Sequence, residues 1–225
     1  MTATTAVALV ATAWACYLIA ALRRTRAQLA DAVRQLARDP LTGLLNRAGL
    51  LALHATLAAT PQPMLVLLID LDDFKAVNDT HGHDAGDYIL TEIGARIHEI
   101  AALHGGAAAR LAGDEYAVLL PAHRGNPARV AGLVVALIAH PIDLPCGGEP
   151  TTVDVSASVG AAIVDSSDPL EEVALRRADI AMYHAKHAGG NQHALYTPGM
   201  TMPTTTPRRG RRLRNLRPTG QGTGA

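Results

Sequence analysis

The chain has 225 residues, 48% of them hydrophobic, which is enough for one domain with a packed core plus appended segments. Lys+Arg and Asp+Glu balance at 20 each, so overall charge selects no partner and no specific nucleic acid is expected. Cys16 lies inside an apolar run, which argues against a disulfide with Cys146, and the scattered histidines lack zinc-ligand spacing.

Residues 1–22 carry no charged side chain and include Trp14 and Tyr17. About 20 apolar residues cross a bilayer as a helix. Arg23, Arg24 and Arg26 follow at once, so the pattern predicts a transmembrane anchor in the inner (plasma) membrane with all that follows in the cytoplasm. A cleaved signal peptide would carry its positive charges before the apolar run. Residues 23–38 form a helical linker in which Leu22, Leu29, Val33 and Leu36 recur at roughly heptad spacing. Both a short coiled coil and a single amphipathic helix suit that spacing.

Residues 39–197 are expected to form the main domain. Asp39-Pro40 stops the linker helix, and residues 41–44 make a compact turn. Residues 47–59 read as a helix, broken by Pro61 and Pro63. Residues 64–71 are continuously aliphatic and predict a buried central strand. Residues 78–86 are polar and contain glycine, which predicts a loop. Ile89, Leu90, Ile93, Ile97 and Ile100 then share one face of a helix over 88–103. Two short apolar runs, 107–111 and 116–120, flank Ala-Gly-Asp-Glu and predict a hairpin. A helix over 128–139 is followed by a strand over 151–163, in which Val153, Val155, Ala157 and Val159 alternate. Asp168 and Pro169 read as the cap and first turn of a final helix that ends before Gly189-Gly190. Residues 193–197 suit a closing edge strand. Residues 198–225 are rich in Pro, Thr, Gly and Arg and predict a disordered basic tail. This order predicts an α+β fold with a central, mainly antiparallel sheet flanked by helices.

Asp70 stands at the end of the aliphatic strand, and Asp114 and Glu115 stand at the hairpin turn. Carboxylates at a buried strand end are costly unless solvated or bound to something. If the hairpin lies beside that strand, the acids converge and suit a hard divalent cation that shares a triphosphate. Lys75 and Lys186 are the cationic candidates for phosphate. Asn78, His83 and Asp87 are polar candidates for a nucleobase edge.

At these residues the chain resembles the diguanylate cyclases, the GGDEF-domain family. Five blocks carry the resemblance, in the family's order. They are Asp39-Pro-Leu-Thr-Gly-Leu-Leu-Asn-Arg47, Asp70-Leu-Asp-Asp-Phe-Lys-Ala-Val-Asn-Asp-Thr-His-Gly-His83-Asp-Ala-Gly-Asp87, Arg110-Leu-Ala-Gly-Asp-Glu-Tyr116, Val155-Ser-Ala-Ser-Val-Gly160 and Ala178-Asp-Ile-Ala-Met-Tyr-His-Ala-Lys186. The resemblance implies a palm-like cyclase fold that condenses two GTP into cyclic di-GMP and releases two pyrophosphates. It implies that Asp70, Asp114 and Glu115 bind Mg²⁺ (with Mn²⁺ as a substitute), together with the Leu71 carbonyl. Asp114 also becomes the acceptor of the 3′-hydroxyl proton, with Glu115 assisting. Asn78 and Asp87 would read guanine with His83 beside the nucleotide, while Phe74, Lys75 and Lys186 would hold phosphates near Gly113. Each domain of the family binds one GTP, so catalysis implies a homodimer, which the anchor and linker would promote.

The chain departs from the family pattern at three places. Ala112 replaces the first hairpin glycine and Tyr116 replaces phenylalanine. If position 112 needs a positive φ, alanine costs about 1 kcal/mol; otherwise it costs little. Gly190 stands where the family commonly has a phosphate-contacting arginine, which predicts weaker GTP binding by ~1.5–3 kcal/mol. The family's Arg-x-x-Asp product-inhibition site corresponds to Leu103 and Gly106, so feedback by that route is expected to be absent. The competing expectation is a catalytically degenerate domain that binds GTP or a partner protein and signals without chemistry.

Overall fold

The computed structural model describes residues 14, 17–26, 28, 36–145 and 151–202. Strand β1 (Pro63–Leu71) is the middle of a five-stranded sheet. A hairpin of β2 (Ala107–Ala112) and β3 (Glu115–Pro121) lies on one side of it. Strands β6 (Ala157–Asp165) and β7 (Gln192–Leu195) lie on the other. β1 runs antiparallel to β3 and to β6, β2 runs antiparallel to β3, and β7 closes the edge parallel to β6. The sheet is thus mixed, with one parallel pairing.

Helices cover both faces, which explains why β1 is apolar at nearly every position. Along a strand, successive side chains point to opposite faces. Leu65, Leu67 and Ile69 pack with Ile89, Ile93 and Ile97 of α3 (His83–Leu103) and with Val130 and Val134 of α4 (Pro127–Ile138). Met64, Val66 and Leu68 pack on the opposite side with Leu50 of α1 (Arg47–Leu57) and with Ala178 and Met182 of α5 (Arg176–His187). Asn46 caps α1 by accepting from the Gly49 amide at 2.9 Å, and Asn126 caps α4 in the same way from Arg129 at 3.1 Å.

Several expectations need correction. The polar stretch 78–86 is not a loop. It belongs to α2 (Phe74–His81) and to the start of α3, with Gly82 between them. The stretch 151–163 is not one strand. β5 (Thr151–Val153) pairs with β4 (Ile142–Leu144) in a separate two-stranded sheet, and the chain leaves both sheets before β6 begins. Asp168 does not cap the last helix. Its carboxylate accepts from the Asp165 amide at 3.1 Å, and a π-helical turn over Leu170–Leu175 leads into α5. Of the expected tail, residues 198–202 are described. His184 Nε2 lies 3.3 Å from the Thr201 carbonyl, so this segment lies beside α5.

The expected anchor and linker, and the basic tail from residue 203 onward, fall largely outside the described residues. Residues 17–26 are helical. Among the described residues no helix is long and apolar enough to cross a membrane.

Leu67 is fully buried in the middle of β1. Leu67→Ala is expected to lower the unfolding free energy by about 3 kcal/mol, read as a drop in the urea midpoint at unchanged m-value.

Candidate active site

The site lies where β1 ends. In the antiparallel ladders Asp70 stands opposite Glu115 on one neighbour and Ser158 on the other. The Leu71 amide donates to the Asp114 carbonyl at 3.3 Å, which fixes the hairpin turn against the strand end. Sheet register therefore sets the backbone of Asp70 and Leu71 beside that of Asp114 and Glu115. Gly113 carries the positive φ of the turn at +55°, while Ala112 does not have a positive φ. The alanine in the first hairpin position thus costs no backbone strain. Tyr116 is fully buried, and its hydroxyl donates to the Leu90 carbonyl of α3 at 2.8 Å. Burial pushes the pKa of that phenol up and keeps it neutral.

Lys186, in the last turn of α5, reaches across to this edge. Its Nζ donates to Asp70 Oδ1 at 2.5 Å. Burial pushes the Asp70 carboxyl up to about 6; Lys186 opposes that rise, and the charges of Asp114 and Glu115 reinforce it.

Two further carboxylates build the frame, a role that the sequence alone did not assign them. Asp72 accepts from the Ser156 hydroxyl at 2.8 Å, the Ser158 hydroxyl at 2.7 Å and the Asn191 amide at 2.8 Å. It ties the end of β1 to the start of β6 and to the turn after α5. Gly190, in that turn, has φ +71°, and a Cβ there would lie 3.0 Å from Asp72 Oδ2. Asp39 accepts from the Thr42 amide and hydroxyl at 2.9 and 2.8 Å and from Arg110 Nη1 at 3.1 Å. Burial alone would raise the Asp39 carboxyl, but the Thr42 and Arg110 contacts outweigh it and hold it below its usual value. Arg110 Nε also donates to the Gly113 carbonyl at 2.8 Å, so the turn is braced from the start of the domain. The signal in the sequence was the Ser156-x-Ser158 spacing and the Asp39 and Arg110 blocks, but only the fold gives them partners.

The remaining candidates lie on the elements that follow β1. Asp73, with φ +49°, turns the chain directly into α2. The Phe74 side chain is buried in the core, which leaves its backbone as the part that could hold a phosphate. Lys75 is exposed and pairs with Asp79 of its own helix at 2.5 Å. Asn78 packs against Gly86, next in the chain to Asp87, so these polar candidates meet at the α2–α3 junction. His83 and Asp87 are exposed there.

The family model for the diguanylate cyclase GGDEF domain matches residues 36–192. The chain belongs to the GGDEF domain family. The bifunctional diguanylate cyclase/cyclic di-GMP phosphodiesterase MucR of Pseudomonas aeruginosa is 35% identical over 170 residues, covering 67% of this chain and 24% of MucR. The coiled coil and GGDEF domain of DgcB from Caulobacter crescentus, solved in complex with c-di-GMP, superposes with a TM-score of 0.66 at 27% identity, covering 81% of this chain and 97% of that one. The GGDEF domain of TpbB (YfiN) from Pseudomonas aeruginosa gives a TM-score of 0.60 at 34% identity, covering 71% and 94%. The chain spans about a quarter of the length of several curated relatives that it matches.

An acid whose folded-state pKa lies above its unfolded value contributes stability that is complete below the unfolded value, about 3.9 for aspartate. For Asp70 that contribution is lost as pH rises through about 6. In metal-free urea titrations from pH 4 to 7, the parent is expected to lose up to ~2–3 kcal/mol relative to Asp70→Asn. Parallel pH profiles for the two chains would contradict this.

Proposed function

We propose that this GGDEF domain is an active diguanylate cyclase that condenses two GTP into cyclic di-GMP and works as a homodimer. The observation that carries this reading is that sheet register sets Asp70 beside Asp114 and Glu115 at one sheet edge, with Lys186 bonded to Asp70.

The donor set fits Mg²⁺, with Mn²⁺ as a substitute. Three carboxylates and the Leu71 carbonyl are hard oxygen donors of the kind such ions take. Among the described residues no three acidic, histidine or cysteine side chains already stand close enough to hold a metal ion. Nucleotide phosphates would therefore complete the coordination, as is usual for Mg²⁺. When bound, the ion supplies charge neutralisation for the triphosphate and lowers the pKa of the attacking hydroxyl.

The chain's own residues supply the rest. Asp114, on the braced turn, accepts the 3′-hydroxyl proton, with Glu115 beside it. Lys186 holds phosphate by its ammonium, Lys75 adds a second cation, and the amides of Gly113 and Phe74 lie on the two flanking turns. Asn78 and Asp87 read the guanine edge at the α2–α3 junction, with His83 next to the nucleotide. Each domain holds one GTP, so two must face each other. An anchor over residues 1–22 and a helical linker over 23–38 would raise the local concentration of the partner at the inner membrane and place residues 39–197 in the cytoplasm.

The purified full chain, given GTP and Mg²⁺, is expected to form cyclic di-GMP. Asp114→Ala should lower the rate at least ~100-fold while keeping the fold. A folded, dimeric parent that makes no more product than Asp114→Ala would leave only the degenerate reading. Leu103 and Gly106 offer no charged group where the family's feedback site has arginine and aspartate. Added cyclic di-GMP at low micromolar concentration is therefore expected to leave the initial rate unchanged, and inhibition there would refute this.

A further inference from the structure

Lys186 makes a contact that a phosphate-binding lysine does not need. Its ammonium is bonded to Oδ1 of Asp70, a carboxylate that the proposed function assigns to the metal ion. An ammonium on that carboxylate opposes a divalent cation electrostatically, so the two compete for it. The backbone on each side is held in place. Asp70 sits inside the ladders of β1 with β3 and β6. The turn after α5 is fastened through the Asn191 amide to Asp72 at 2.8 Å and through the Gly190 amide to the Ala185 carbonyl at 3.3 Å. What remains free to move is the four-carbon stem of Lys186, whose side chain is 36% exposed, against 16% for Asp70. Lysine is suited to this because its charge is compact and its stem flexible.

We propose that Lys186 is a place-holding cation: it neutralises Asp70 in the metal-free domain, yields that carboxylate to an arriving divalent ion, and is thereby released toward the nucleotide's phosphates. A partly buried carboxylate beside two other acids is costly to leave unpaired, so the lysine stabilises the empty state of the site. Once a doubly charged ion takes its place, the ammonium is repelled from the acids and lies free beside the metal, where a polyphosphate would arrive. Metal and nucleotide binding are then coupled through one side chain, and the coupling acts in both directions. This inference rests on reading Asp70 as a metal ligand.

The test separates the two roles of the lysine by their opposite signs. Binding of Mn²⁺ alone to the full chain is read from the electron paramagnetic resonance of free Mn²⁺, without nucleotide. Lys186→Met removes the competitor, so Mn²⁺ is expected to bind about fivefold tighter than to the parent. Asp70→Asn added to Lys186→Met should abolish that gain. A non-hydrolysable GTP analogue, with saturating Mn²⁺, should bind the same Lys186→Met chain about tenfold more weakly than the parent. Lys186→Gln, which keeps a polar end, should follow Lys186→Met in both assays. Equal or weaker Mn²⁺ binding by the variants, or no Mn²⁺ binding by any chain without nucleotide, would overturn the proposal. So would a gain in analogue affinity. A parent that binds Mn²⁺ as described but forms no cyclic di-GMP would remove the proposed activity and leave the place-holding role standing, since neither binding assay needs turnover.

Discussion

The site depends on one constraint: a carboxylate must stand at the end of a strand that is buried on both faces. β1 is packed between two helical layers, so its last residues are drawn into the sheet with few ways to solvate charge. Asp70 meets this constraint by pairing with Lys186, and even so burial keeps its carboxyl well above the ordinary range. Everything else at that edge either adds negative charge to it or fixes the groups that oppose that charge.

The neighbouring acids show the other solution to the same problem. Asp72 is two residues from Asp70, yet it takes three hydrogen bonds, from two hydroxyls and an amide. Asp39 takes two from Thr42 and one from Arg110. Donors that favour the ionised form stabilise it and occupy its lone pairs. Those two carboxylates are therefore structural clamps. Asp114 and Glu115 stand on the turn that the clamp at Asp39 and Arg110 braces. The division of labour among the acids thus follows from donor supply. Acids with several donors of the protein's own build the frame, whereas Asp70 is held by the single ammonium of Lys186, the contact on which its proposed exchange of partner rests.

Much of this was legible in the sequence, and the failures have physical causes. β1 and the hairpin were readable because an unbroken aliphatic run and a polar turn between apolar runs each have few alternative structures. Residues 78–86 read as a loop because α2 fully buries only Phe74 and packs Val77 partly against the core, which leaves a short apolar stripe to detect. The strand expected over 151–163 failed for a subtler reason. Val153, Val155, Ala157 and Val159 are all buried in one core, so the alternation runs unbroken through a segment that leaves the sheet. What pulls that segment away is Asp72, which the Ser156 carbonyl and hydroxyl engage by hydrogen bonds. No local pattern announces such a bond. The pairs that define the site are likewise distant in the chain: 116 residues separate Lys186 from Asp70, and 71 separate Arg110 from Asp39.

The same geometry changes the meaning of Gly190. From the sequence it is a missing arginine, and the loss of one guanidinium predicts weaker phosphate binding. In the fold it is a left-handed residue whose Cβ position lies against the Asp72 carboxylate. A side chain there would start within the clamp that holds the turn after α5, and a guanidinium attached to it would begin beside Asp72. Position 190 in this chain therefore serves the clamp, and the clamp serves Lys186 by fixing the helix end from which it reaches Asp70. A chain without the arginine leans more heavily on that lysine. Under the proposed place-holding role, one ammonium neutralises Asp70 before the metal arrives and meets the phosphates afterwards, which a flexible stem allows and a rigid fork does not.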